Sequence, residues 1–506
     1  MLSRILSIAG PFWVYVTAGV LVYGIARERK RLEWLALAPA LAGFIASALF
    51  LSPMHRLFFD EDLYINIASN LTRAPVNQVT VLGGPDDIQV SSYYKEPAGW
   101  PVLLSFAFLI AGRSEIVAFW FARFLFALTI AAVYQLAREL LPTQRQALAA
   151  AILFAAIPVC FWYSLSAGTD MPAALMAVLG MWGLAVGNGA LAAAGFAFAA
   201  QTRMELLVLI PLVWLTPKIS AKWKIGAGAL VAVEIVHVVW VMSIASRLER
   251  AEEVSSAFGL GYVGRNLPDS IKYLFSPFDF PLMISVFAAL FLWEKAAAAR
   301  RMRAADWRQL LKPSPGAPQA LLLWLCGLFA VYLVFYAGSF DLNPRYSIQI
   351  LAPLTILASS FAKRPIFIAA LFGSAIIPAT QRYELTPYLK ALEADHRFSV
   401  EFASQLRPDD LVVSSQQEIF INQDRRGMNA AFASTRESKL EEEIRKRGKV
   451  WYHSGVRAGF ENSEEWRADR WVKSKFELHL IDSHEVSGFR IAFYEMLLQR
   501  IDREAR

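Results

Sequence analysis

The sequence predicts a polytopic α-helical membrane protein with a small C-terminal extracytoplasmic α/β domain, and three observations carry that prediction. The chain is 506 residues long, with 56% apolar and 13% aromatic residues and a mean hydropathy of +0.39, which is too apolar for a soluble protein of several domains. Apolar runs of roughly 15–20 residues recur from Pro11 to Ala379, long enough to cross a hydrocarbon core of ~30 Å as helices that satisfy their own backbone hydrogen bonds. After Ala379 the composition changes: charged residues become frequent and the apolar runs shorten.

Charge sets the expected topology. The basic residues gather in short segments between apolar runs, at Arg27 to Arg31, Lys218 to Lys224, Lys295 to Lys312, and Lys363-Arg364. Placing these loops in the cytoplasm explains the net charge of +7 without nucleic acid, which is excluded as a partner. Only Arg4 precedes the first apolar run and Arg27 to Arg31 follow it, a polarity opposite to that of a cleaved signal peptide. The spans expected on this map are 11–26, 33–52, 116–137, 147–165, 172–187, 189–203, 205–217, 225–245, 280–294, 319–338, 347–361 and 365–379. That makes about 12 transmembrane helices in a membrane domain of residues 1–380. Residues 53–115 form one long external loop, in which Ala98 to Ala111, short and preceded by Pro97, is read as an interfacial helix that does not cross.

Residues 381–506 are expected to form the soluble domain. Tyr388 to Leu406 has helical spacing, Arg407-Pro408-Asp409-Asp410 signals a turn, and Leu411-Val412-Val413 reads as a strand. A charged helix over Arg436 to Arg447 and strands at Lys449 to Tyr452 and Phe489 to Phe493 follow. Its histidines, His396, His453, His479 and His484, are scattered in sequence and are read as surface or packing residues. The two cysteines, Cys160 and Cys326, lie in apolar runs and offer neither a disulfide framework nor metal-ligand spacing.

Candidate functional residues fall where the charge map puts the outer face. Asp60-Glu61-Asp62 places three carboxylates just after an apolar run, which is costly unless they meet a cation, a metal or a substrate proton. Tyr94-Lys95-Glu96-Pro97, Thr169-Asp170-Met171-Pro172, Gln201-Thr202-Arg203 and Asn343-Pro344-Arg345-Tyr346 reach the same face. Arg123 lies about seven residues inside a span, where a cation needs a partner or water. Glu234 and His237 share a face of another span and are read as a packing pair.

In order and sidedness these motifs resemble the integral-membrane glycosyltransferases of the GT-C class, in particular bacterial relatives of protein O-mannosyltransferases and lipid A aminoarabinose transferases. The residues carrying the resemblance are Phe59 to Tyr64, Lys95-Glu96-Pro97, Phe121 to Leu128, Thr169 to Pro172 and Asn343 to Tyr346. The resemblance implies transfer of a sugar from a polyprenyl-phosphate donor to a glycan, lipid or protein acceptor, in the plasma membrane (the inner membrane of a bacterium), with the active site and C-terminal domain on the extracytoplasmic face. It implies catalytic carboxylates among Asp60, Glu61 and Asp170, with Asp60 the leading candidate for general base. It implies donor-phosphate contacts among Lys95, Arg203, Arg345, Tyr346 and Arg123, with membrane lipids around the spans. A divalent metal near Asp60, Glu61 and Asp170 suits clustered oxygen ligands and is left open. The competing reading is a polytopic transporter or lipid flippase, which would place ionisable residues near the bilayer midplane in two related halves.

Overall fold

A computed structural model describes residues 2–93, 96–244, 258–300, 318–380, 386–447 and 449–498. They fall into two compact units whose division does not follow chain order. Met1–Met54, Lys95–Leu103 and Ala118–Tyr383 make a helical unit, and His55–Tyr94, Leu104–Val117 and Glu384–Arg506 make a second, sheet-centred one.

Three helices among the described residues are long and apolar enough to cross a membrane: Leu2–Arg31, Glu115–Leu140 and Ala221–Ser243. The bent pair Gln144–Ala156 and Pro158–Leu165 makes a fourth if counted as one span. Eight further apolar helices run 10–17 residues, about 15–26 Å at ~1.5 Å per residue. The expected twelve spans therefore appear as three or four full-length ones and a set of shorter helices, because local breakers interrupt the apolar runs. Ile157 is extended (φ −68°, ψ 123°) ahead of Pro158, as a residue before proline tends to be, and the chain resumes at 63°. Arg203 is extended between helix Gly189–Thr202 and a 3₁₀ segment, Met204–Leu209.

Helices Asp170–Val186 and Gly189–Thr202 form a close antiparallel hairpin built on small residues. A Cβ on Gly195 would lie 2.4 Å from the Gly180 nitrogen, and one on Gly183 would lie 2.4 Å from the Ala192 nitrogen. Packing this close is what small residues permit where lipid supplies no hydrophobic drive between helices. The reversal uses Gly187 at φ 76°, and Asn188 caps the next helix by accepting from the Leu191 N–H at 3.1 Å. The Asn188 amide also donates to the Gly24 carbonyl at 2.9 Å, fastening the first helix to the hairpin.

The second unit is a seven-stranded mixed sheet ordered β2-β1-β4-β3-β5-β7-β6. Its strands are β1 Gln78–Gly83, β2 Ile88–Tyr93, β3 Leu411–Ser414, β4 Arg426–Asn429, β5 Val450–Ser454, β6 Phe476–Val486 and β7 Phe489–Leu498. β3 is parallel to both β4 and β5, and the other pairings are antiparallel. Side chains alternate along β3. Leu411 and Val413 pack with Leu440 and Val472 on one face, and Val412 packs with Phe402 and Phe420 on the other, so helices cover both faces.

The hairpin β1-β2 comes from the first loop. It joins the C-terminal strands through Leu82↔Met428 and Gly83↔Gly427, and Arg426 Nη1 donates to Asp87 Oδ2 at 2.6 Å. Sequence reading put residues 53–115 with the membrane domain, since local hydropathy carries no record of a strand partner more than three hundred positions away.

Candidate functional site

The acidic run opens the helix Phe59–Leu71 in the second unit. Phe58, just before it, has φ 45° and ψ −108°, a strained conformation for a residue with a side chain. Its ring is buried against Ala391, Leu392, Val456 and Ile491, with Tyr388 and Phe489 alongside, which opposes relaxation. The helix is held to the sheet by two asparagines: Asn66 Oδ1 accepts from the Thr80 N–H at 2.9 Å, and the Asn70 amide donates to the Gln78 carbonyl at 2.9 Å.

The three consecutive carboxylates have different surroundings. Glu61 is fully buried, and its Oε2 accepts from the Arg56 and Leu57 backbone N–H groups at 2.6 and 2.8 Å. Asp62 is 1% exposed and accepts from the Asn422 amide at 3.3 Å. Asp60 alone keeps partial solvent exposure. Of the two carboxylates named from this run, Asp60 is the more exposed, whereas Glu61 orders the loop that precedes it.

Around Asp62 lies a group that sequence reading missed. His55 Nε2 is 3.9 Å from Asp62 Oδ1 and 3.6 Å from Glu115 Oε2; His396 Nε2 is 3.4 Å from the same Asp62 oxygen and 3.9 Å from Glu115 Oε1. The imidazole centroids are 4.1 Å apart. Burial opposes a charge on His55, but Asp62, Glu115 and Glu61 together outweigh it and hold its pKa well above the ordinary value. His396 is therefore no ordinary surface residue, which corrects the reading of the histidines as scattered. His453 does pack in the core, 2.9 Å from Asp395 and stacked on Phe493. His479 and His484 are exposed on β6.

Nearby, burial together with the charge of Asp62 pushes the Glu418 carboxyl up to about 8. Between pH ~4.5 and ~8 the folded chain thus holds a proton that the unfolded chain has released, so this group makes stability fall as pH rises through that window. Glu418→Gln is expected to raise the unfolding temperature by several degrees at pH 8 and to leave it unchanged near pH 4. Thermal unfolding of both proteins across that range measures it, and an equal shift at both pH values would contradict it.

In the helical unit, three of the singled-out motifs come together. Asp170 opens helix Asp170–Val186, Arg203 follows helix Gly189–Thr202, and Tyr346 lies in the 3₁₀ turn Pro344–Ser347. The Arg203 guanidinium donates through Nη1 to Asp170 Oδ1 and through Nε to Glu205 Oε1, the latter at 2.6 Å. It also lies 4.9 Å from the Tyr346 ring centroid. Tyr332 donates to Glu205 at 3.2 Å and stacks on Tyr346, and the Gln349 amide donates to the Asp170 carbonyl at 2.9 Å. The start of helix Gly99–Ala111, after Glu96-Pro97, joins them: Trp100 Nε1 donates to the Ala167 carbonyl at 2.6 Å, and a Cβ on Gly99 would meet the Gln201 carbonyl at 2.5 Å.

The buried Arg203 is thus flanked by two carboxylates and works first as the counter-ion of Asp170 and Glu205. Arg345, partly exposed in the same turn as Tyr346, lies 5.3 Å from that ring centroid. Arg123 is answered elsewhere. Its Nη2 donates to the Leu51 carbonyl at 2.7 Å, at the end of helix Leu37–Phe50, and its guanidinium covers Trp120 at 4.4 Å. A helix C-terminus is a favourable place for a cation, and this meets the need for a partner at that depth. Glu234 and His237 are both buried. Lys95 lies outside the described residues.

Residues 95–241 match the model of the dolichyl-phosphate-mannose-protein mannosyltransferase family. No curated protein matches the chain by sequence. Among solved structures, ArnT from Cupriavidus metallidurans bound to undecaprenyl phosphate is similar over 91% of this chain and 97% of its own, at 13% identity and a TM-score of 0.55. The oligosaccharyltransferase of Archaeoglobus fulgidus in its apo form is similar over 93% of this chain and 75% of its own, at 12% identity and a TM-score of 0.47. An archaeal oligosaccharyltransferase from that organism, AglB, in complex with an inhibitory peptide and a dolichol-phosphate, has 13% identity and a TM-score of 0.44 over 93% of this chain and 75% of its own. The likeness to ArnT establishes the fold as a helical membrane one of the GT-C type.

Proposed function

We propose that this integral membrane protein, whose residues 95–241 match the dolichyl-phosphate-mannose-protein mannosyltransferase family, is a GT-C glycosyltransferase that moves a sugar from a polyprenyl-phosphate donor to an acceptor hydroxyl on the outer face of the membrane. The family match is the observation that carries this reading. In the proposed reaction the acceptor oxygen attacks the anomeric carbon, the bond from that carbon to the lipid phosphate breaks, and the acceptor proton passes to Asp60. A hydroxyl is a poor nucleophile, and a reachable carboxylate supplies the base it needs. The leaving phosphate gains charge as the bond breaks, and Arg345 is proposed to meet it. Asp170 acts by fixing Arg203 beneath Tyr346.

Purified protein incubated with a panel of polyprenyl-phosphate monosaccharides and acceptors tests the reading, with released polyprenyl phosphate measured by mass spectrometry. Donors that bind yet are never cleaved with any acceptor would overturn it and favour a carrier. Arg345→Ala is expected to weaken donor binding by about 10- to 100-fold, the cost of one hydrogen bond to a charged group, with Arg345→Lys recovering part of the loss. Unchanged donor affinity in folded Arg345→Ala would remove this residue from the donor site.

A further inference from the structure

We propose that His55, Asp62, Glu115 and His396 form a binding site for a zinc-type divalent cation that ties together the segments of the sheet-centred unit. The four come from four separate places: the loop before the acidic helix, the first turn of that helix, the first residue of helix Glu115–Leu140, and helix Pro387–Gln405. Each contributes one ligand atom, and these atoms all lie within 4.8 Å of one another. The nitrogen-to-oxygen separations of 3.4–3.9 Å are long for hydrogen bonds. They are close to the ~3.4 Å between ligand atoms around a tetrahedral ion with bonds of ~2.0–2.1 Å, and with all four atoms inside 4.8 Å of one another, side-chain movements of about 1 Å complete the shell.

The surrounding contacts are those that orient metal ligands. His55 Nδ1 lies 3.2 Å from Glu61 Oε2, an oxygen already fixed by two backbone N–H groups. When a cation displaces the Nε2 proton, this contact keeps the remaining proton on Nδ1 and leaves Nε2 to face the ion beside Asp62 and Glu115. The Gln423 amide donates to Glu115 Oε1 at 2.7 Å, and the Asn422 amide donates to Asp62 Oδ1 at 3.3 Å. Two neutral imidazoles and two carboxylates carry a charge of −2, which a divalent ion cancels. A set of two nitrogens and two oxygens favours zinc or a similar transition metal over magnesium or calcium. Four protein ligands leave no open position, so the site is structural. It anchors the helix that begins beside Asp60 to helix Pro387–Gln405.

Full-length protein, purified in detergent and dialysed against metal-free buffer, provides the test. About one zinc per chain is expected by elemental analysis, and cobalt loaded in its place should give the visible absorption of a tetrahedral site. A high-affinity chelator should lower the unfolding temperature of the wild type. His396→Ala should abolish stoichiometric metal, Gln423→Ala should weaken zinc binding by about 10- to 100-fold, and His479→Ala, at an exposed histidine, should retain it. Wild-type protein that takes up neither zinc nor cobalt and is indifferent to chelator would overturn the proposal whatever the variants do, as would full metal content in folded His396→Ala. Neither readout depends on the donor or acceptor, so failure here leaves the transferase reading untouched.

Discussion

Asp60→Asn is expected to lower turnover by ~10²–10⁴-fold, the range associated with losing a general base, while the protein folds and binds donor as before. The substitution keeps shape and size. Asp60 is partly exposed, and its backbone N–H donates to the Leu57 carbonyl at 3.3 Å. Glu61 and Asp62, which carry the structural load of the run, are untouched. Single-turnover rates with saturating donor isolate the chemical step, and thermal unfolding reports the fold. Glu61→Gln should give the opposite pattern, because it weakens the acceptor for the Arg56 and Leu57 N–H groups and so lowers stability along with activity. Full turnover in Asp60→Asn would move the role to another carboxylate.

Arg203→Met is expected to destabilise the helical unit by ~3–5 kcal/mol, because it leaves Asp170 and Glu205 together without their cation. Asp170→Asn should cost less, since Arg203 keeps Glu205 and an asparagine still accepts from it. Lysine at 203 cannot reproduce two donors in one plane, so Arg203→Lys should fall between. Unfolding in detergent, followed with and without donor, separates two roles. A counter-ion role lowers stability in the absence of any ligand, whereas a pure donor contact would leave the ligand-free protein unchanged. A ligand-free melting profile equal to wild type would contradict the structural assignment.

The residues named from sequence divide along this line. Asp60, Asp170, Arg203, Arg345 and Tyr346 were legible because charged or polar groups beside long apolar runs carry a cost that needs a reason. That Asp170 and Arg203 answer each other was not legible, since they lie 33 positions apart and both could be explained by substrate. Arg123 shows the same limit: its depth in an apolar helix marked it, but the carbonyl that receives it belongs to Leu51, 72 positions away. His396 gave no signal, having neither a ligand-like spacing nor a neighbouring motif, and His55 was passed over although it stands five residues before Asp60.

By itself the sequence determined the membrane class, the apolar helices, the acidic run at the end of one of them, the start of the mixed C-terminal sheet and the resemblance to GT-C glycosyltransferases. Each of these depends on composition or on periodicity within a few turns of chain, which solvation by lipid or water enforces locally. Only the tertiary structure decided that the hairpin of the first loop completes the C-terminal sheet, that the acidic helix belongs to that same unit, and that its Asp62 meets two histidines and Glu115. Strand pairing and side-chain clustering are settled by which distant surfaces bury one another, and neighbouring residues in the chain hold no trace of that choice.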